Sequence, residues 1–191
     1  MAQVKKIVVR DAILDAAFAL FMERGYHETT VAAIAARANA SPANIYVYFR
    51  SKLDILYGLY EPWLRERIDE TEARMRAAAT PREALFALLH GLWCDIPAAD
   101  NGFANCLMQA ISTAAPAEGY RPALLAWIEE RVATMLTAAL PEARRAALAQ
   151  TRFAHVLVMA FDGYAIGRHL NPDGGCDEAT IALTADLLLG G

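Results

Sequence analysis

Apolar and polar positions alternate along this chain with the period of a helix almost throughout. Between Thr29 and Lys52, TTVAAIAARANASPANIYVYFRSK, two short helical patterns are separated by a tight polar break. Val31, Ile34, Ala35 and Ala38 follow the i, i+3, i+4, i+7 spacing of a buried helix face. Thr30 stands where a hydroxyl can cap that helix, and Ala33 in place of Glu or Gln leaves a full capping box unformed. Asn39 falls where the chain must turn and tolerates a left-handed backbone. Ser41 caps the next helix, and Pro42 fills its first position, where a missing N–H costs nothing. Two short helices joined by such a turn form a helix-turn-helix, whose second helix can enter the major groove of DNA.

The same periodicity places a first helix from about Ile7 or Arg10 to Arg24, with Ile13, Ala17, Leu20 and Phe21 on one stripe and Gly25 at its end. Ser51 can cap a long helix from Leu53 to about Ala78, in which Pro62 predicts a kink or break. Further helices are expected at 81–95, 101–113, 117–140 (interrupted early by Pro122), 142–169 and 177–189, with NPDGG at 171–175 the clearest breaker. No strand pattern competes beyond the short IVV at 7–9. The expected fold is all-α with about nine helices: a three-helix head over 1–54 and a helical body over 55–191.

Composition narrows the function. Hydrophobic residues make up 56% of the 191, enough for a sizeable core and too many for a disordered chain. No run approaches the roughly 18 apolar residues that span a bilayer, and MAQVKKIVVRD lacks the apolar stretch of a signal peptide, so a cytoplasmic protein is expected. The net charge of −4 speaks against nucleic acid until it is divided. Residues 1–54 hold seven basic and five acidic side chains, a net of +2, which leaves −6 in the remainder. A basic head on an acidic body suits a protein that touches phosphate with one end. Cys94, Cys106 and Cys176 match neither a disulfide framework nor a zinc pattern and are expected as plain thiols. His90, His155, His169, Asp162 and Cys106 are the groups capable of chemistry, but no HExxH, nucleophile elbow or phosphate loop organises them. An enzyme is not expected, nor is a cofactor or metal.

ILDAAFALFMERGYHETTVAAIAARANASPANIYVYFRSKLDIL, residues 13–56, resembles the DNA-binding domain of the TetR family of bacterial transcriptional regulators. The FMERGY, TTVAAIA and IYVYFRSKLDIL segments stand in that family's order and spacing, a far more specific sign than a helix-turn-helix by itself. The resemblance implies that Thr30 touches backbone phosphate and that Ser41, Pro42, Ala43 and Asn44 open a third helix facing the bases. It implies that Tyr46 and Tyr48 pack on the sugar-phosphate chain, and that Lys52 reaches phosphate. Three features depart from the family: Asn39 replaces the usual turn glycine, Tyr48 a common histidine, and Ala32 a long polar residue. Ala43 and Val47 give the recognition helix little hydrogen-bonding capacity, so shape, water and phosphate contacts are expected to carry more of the specificity.

For the body, the resemblance implies a homodimer paired through the helices at 142–169 and 177–189, with two heads about one DNA turn, roughly 34 Å, apart on a palindrome. The apolar residues of those helices exceed what one buried stripe requires, which independently calls for a second covering surface. The resemblance also implies a small-molecule pocket; Trp63, His90, Trp93, Cys106, Gln109, Trp127, Arg131, His155 and Met159 could line it, around a largely apolar effector. The expected function is a ligand-responsive repressor released from its operator by that effector. The alternatives are an activator, or a TetR-like dimer that binds protein in place of DNA. Effector, operator and regulated genes are not legible in the sequence.

Overall fold

The structure, a computed structural model, describes residues 2–99, 102–113, 122–171 and 174–190, with the side chains of these apart from 2–5 and 113. The fold is all-α, and no strand occurs among the described residues. No helix among them is long and apolar enough to cross a membrane. The helices divide into two compact units, the first comprising 1–63 with 101–120 and the second 64–100 with 121–191.

In the first unit, α1 (Ala2–Glu28) begins earlier than its apolar stripe and turns sharply at Gly25, where φ 74° and ψ 176° define a backbone region essentially confined to glycine. Next come α2 (Val31–Arg37), α3 (Pro42–Tyr48), the amino-terminal part of α4 (Lys52–Ala77) and α7 (Phe103–Thr113). Helix α1 packs on α2 and α7, and α2 packs on α3. Ile13, Ala17, Leu20, Phe21, Ile34, Ile45, Phe49, Leu53 and Leu56 close the core. Fully burying one such side chain stabilises by roughly 1.5–3 kcal/mol. Gly58 lets α4 approach closely, since a Cβ there would lie 3.1 Å from Phe49 and 3.2 Å from Leu14.

Helix α4 continues through Pro62 without the break that the sequence allowed. Buried Tyr57, Tyr60, Leu64 and Ile68 lie on both sides of the proline, and their packing outweighs the one hydrogen bond that Pro62 cannot donate.

The second unit contains the rest of α4, α5 (Pro81–His90), a five-residue π-helical stretch (Gly91–Asp95), α6 (Ile96–Ala99), α8 (Pro122–Ala139), α9 (Glu142–Ala149), α10 (Phe153–Leu170) and α11 (Glu178–Leu189). The helix expected at 81–95 thus continues to Ala99 through the π stretch. Gly91 is why that stretch fits: a Cβ there would fall 2.4 Å and 2.6 Å from the Thr71 side chain on α4.

The helix expected over 142–169 is two helices. Helix α9 buries none of its residues, so no packing carries it forward. The Thr151 N–H and hydroxyl both bond the Leu148 carbonyl, 2.9 Å each, and end it there. Asp177 caps α11 through the Thr180 N–H at 2.8 Å, and Gly190 ends it in the left-handed region. The expected start at Asn101, the stretch 117–121 and Pro172-Asp173 of the breaker lie outside the described residues.

Candidate nucleic-acid interface

The two helices of the helix-turn-helix are bounded by side chains that satisfy backbone groups locally. The Thr30 hydroxyl accepts from the Ala33 N–H at 3.1 Å and caps α2. Helix α2 closes with the Ala40 N–H on the Ala35 carbonyl (2.9 Å) and the Asn39 N–H on the Ala36 carbonyl (3.2 Å). These two bonds make a Schellman motif with Asn39 in its left-handed position at φ 52°. After glycine, asparagine is among the residues that best tolerate that conformation. Ser41 then caps α3 by accepting from the Asn44 N–H at 3.2 Å, with Pro42 at the first helical position.

The inner face of α3 is anchored by buried Ile45, and Phe49 beyond its end is buried as well. The outer face consequently presents Ser41, Pro42, Ala43, Tyr46 and Val47 to solvent, with Asn44 and Tyr48 partly exposed. Tyr46 is 58% exposed and Val47 69%, a large apolar surface for a helix of seven residues. Thr30 is exposed at the start of α2, and its hydroxyl proton remains available to an acceptor while its oxygen caps the helix.

Two residues behind this surface fix the turn between α1 and α2. Thr29 is fully buried, and its hydroxyl lies 2.8 Å from the Gly25 carbonyl and 3.1 Å from that of Leu20. Sequence reading passed over it, although a Thr-Thr pair before a helix offers one hydroxyl more than a cap uses. Lys52 folds inward: its Nζ donates to the Tyr26 carbonyl (2.6 Å) and the Thr29 carbonyl (2.7 Å), with a longer contact to that of His27 (3.5 Å). The ammonium also lies 4.1 Å from the Tyr26 ring centroid. Burial lowers its pKa, partly countered by Glu28. The charge expected at phosphate thus braces the end of α1, beside the surface rather than projecting from it. Ser51 caps α4 as expected, accepting from the Asp54 N–H at 3.0 Å.

The residues proposed for an effector pocket fall into both units. In the first, Trp63 joins Phe18, Tyr60 and Phe103 in an aromatic cluster with centroids 5.5–6.0 Å apart, and Cys106 is buried. Gln109 is part of the same unit, its Oε1 lying 3.6 Å from where a Cβ on Gly25 would stand.

In the second, Trp93 is buried and donates its indole N–H to the Leu157 carbonyl at 3.2 Å. Trp127 lies beneath the Arg65 guanidinium at 4.0 Å, with Arg131 at 5.8 Å. Arg131 is held by Asp69 at 2.6 Å and by Glu72, while its Nε is buried without a partner. His90 pairs with Asp95 at 3.1 Å and stacks on Phe86. His155 pairs with Glu129 at 2.7 Å, and that hydrogen bond lowers the Glu129 pKa. Met159 is 40% exposed. These are mainly partnered side chains on helices, able to orient a bound molecule but carrying no arrangement for covalent chemistry.

Residues 13–57 match the sequence model of the bacterial regulatory proteins, tetR family. Residues 13–57 are a TetR-family segment. The chain is 36% identical over 86 residues to the fatty acid metabolism regulator protein of Bacillus subtilis, covering 41% of this chain and 44% of that protein. It is 39% identical over 82 residues to the HTH-type transcriptional regulator BetI of Rhizobium meliloti, covering 43% and 40%. The match spans less than half the length of either curated relative.

The fold extends the likeness. The fatty acid degradation regulator FadR of Bacillus halodurans superposes with a TM-score of 0.66 at 22% identity, over 96% of this chain and 95% of its own. FadR of Bacillus subtilis, in complex with stearoyl-CoA, gives 0.64 at 22%, over 94% and 97%. At such identity the likeness establishes the TetR-like fold of the whole described chain. The matched family and both curated relatives are regulators, not enzymes.

Proposed function

We propose that this chain is a cytoplasmic, DNA-binding transcriptional repressor that binds a palindromic operator as a homodimer and leaves it when a small-molecule effector binds. The exposed face of α3 carries the reading: a capped helix with a buried inner side offers Pro42, Ala43, Asn44, Tyr46 and Tyr48 to a groove, with Thr30 beside phosphate. Asn44 can supply paired donor and acceptor groups to an adenine edge. Lys52 contributes by holding the α1–α2 turn, and its charge acts on the backbone of the operator from behind that turn.

The effector we assign is an amphiphile with an acyl chain, in keeping with the fatty acid regulators to which the chain is similar. Helix α4 contributes residues to both units and is the natural carrier of the signal. The effector acts by preferring one conformation, and a coupling of about 1–3 kcal/mol is typical of such regulators.

The exposed Tyr46 and Val47 also favour a second reading, a TetR-like dimer that docks protein on α3. In vitro selection from random duplex DNA at near-physiological salt separates the two. Wild type should enrich a palindrome, and Tyr46→Ala should lose the enrichment while remaining a folded dimer. Adding stearoyl-CoA should then release the selected operator. Absence of any enriched sequence from a folded, effector-free dimer would overturn the repressor reading in favour of protein docking.

A further inference from the structure

Away from the α3 surface, the second unit brings two of the three cysteines to one place. Cys94, in the π-helical stretch, lies with its Sγ 3.1 Å from the main-chain carbonyl of Cys176. Cys176 occupies the position before the residue that caps α11, and its own thiol points towards the Asp177 carbonyl at 3.8 Å. Both thiols are free, and both are partly exposed; Cys106 is buried in the other unit. A sulfur within hydrogen-bond reach of a residue's carbonyl lies within a side chain's length of that residue's Cα, which a bridging pair of cysteines requires. Tyr164 on α10 completes the cluster. Its ring centroid lies 5.7 Å from that of Trp93, and the neighbouring Cys176 thiol raises the pKa of its hydroxyl.

We propose that Cys94 and Cys176 are a dithiol oxidised by peroxide to an intramolecular disulfide that ties the π-helical stretch to the start of α11. The Cys176 thiolate attacks one peroxide oxygen: the S–O bond forms, the O–O bond breaks, and the departing hydroxide takes the proton that the thiol released, giving water and a sulfenic acid. The Cys94 sulfur then attacks the Cys176 sulfur. The S–S bond forms, the S–O bond breaks, and hydroxide leaves with the Cys94 proton as a second water. Two thiols supply two electrons, and one peroxide accepts them.

The surroundings assign the order. Cys94 donates its proton to a carbonyl, and burial pushes its thiol pKa up, with Cys176 and Asp95 adding to the effect; it is the slower nucleophile and the resolving thiol. The neighbouring Cys176 thiol pushes the Tyr164 hydroxyl up to about 12, so it stays protonated and can donate to the Cys176 sulfur. Forming the bridge requires the Cys94 side chain to turn from the Cys176 carbonyl and the Cys176 side chain to turn from the Asp177 carbonyl. The π-helical widening and the loop before α11 are the two backbone segments able to absorb it.

The test uses the full chain with hydrogen peroxide in small excess, alkylation of remaining thiols, digestion without reduction, and mass spectrometry. A peptide pair joining Cys94 to Cys176, lighter by two hydrogens and released by dithiothreitol, is expected. Cys106 should be fully alkylated once the protein is denatured. Peroxide should raise the melting temperature of wild type and C106S by a few degrees, reversibly, and leave C94S and C176S unmoved. Full alkylation of both thiols after peroxide would overturn the proposal. So would over-oxidised Cys176 beside a free Cys94, or a Cys176 bridge between two chains. If either serine variant fails to fold, the linked peptide in wild type still decides.

Discussion

Thr29 shows how much one hydroxyl can hold. It is fully buried, with its hydroxyl against the Gly25 and Leu20 carbonyls. Thr29→Val keeps the shape and removes the hydroxyl, so those carbonyls lose its bond in a dry site. The expected cost is about 1–3 kcal/mol, read as a lower urea midpoint at unchanged slope. Asp162 poses the opposite case, a charge the fold opposes. Burial pushes its carboxyl up from 3.8 to about 6, with His155 opposing more weakly. Because the folded pKa is the higher, the contribution is fully present below about pH 4 and is lost as pH rises through about 6. A rise of that size corresponds to on the order of 3 kcal/mol at most, less for the part that water still reaches. Wild type should therefore lose stability relative to Asp162→Asn between pH 4 and 7. Parallel melting curves over that range would sink the argument.

At the scale of elements, the π-helical stretch lies tightly against α4 at Gly91. Gly91→Ala would place a methyl carbon 2.4 Å from the Thr71 side chain, which is fully buried and bonded to the Arg67 carbonyl at 2.9 Å. Neither side has room to yield, so overpacking of about 1–3 kcal/mol is expected, measurable by chemical denaturation; double substitution with Thr71→Ser should recover part of it. Nothing in GLWCD marks a π turn, because the widening answers a residue twenty positions away. The helix-turn-helix, by contrast, was legible. The caps at Thr30 and Ser41, Asn39 in the turn and Phe49 in the core are set by neighbours within a few positions or by periodicity. The inward Lys52 was not legible, since its acceptors lie 23–26 residues away. Nor was the break between α9 and α10: it rests on the lack of burial along α9 and on the Thr151 bonds to the Leu148 carbonyl. The effector candidates spread over both units for a similar reason. Apolar side chains with one polar group look alike in sequence whether they line a pocket or fill a core.

At the scale of the molecule, the second unit leaves apolar surface that its own helices do not cover. Helix α11 buries Ile181 and Ala185 and packs on α5, yet Leu183 is 60% exposed and Leu187 63%. On α10, Leu157, Val158, Phe161 and Ala165 face inward while Val156 and Met159 remain exposed. Two helices each apolar on an inner and an outer side fit a partner carrying the same two helices, the self-complementary contact of a two-fold dimer. A stable interface of this kind buries about 800 Å² or more per partner around an apolar centre, so a charge placed at that centre should separate the copies. Leu183→Glu with Leu187→Glu alters only outward positions, and the circular dichroism of the isolated chain should persist. Sedimentation equilibrium should then give a dimer for wild type and a monomer for the variant. Operator affinity should fall with it by orders of magnitude, because one head alone contacts half a palindrome. If the variant sediments as a dimer, pairing lies on another face, and the expectation drawn from α10 and α11 fails.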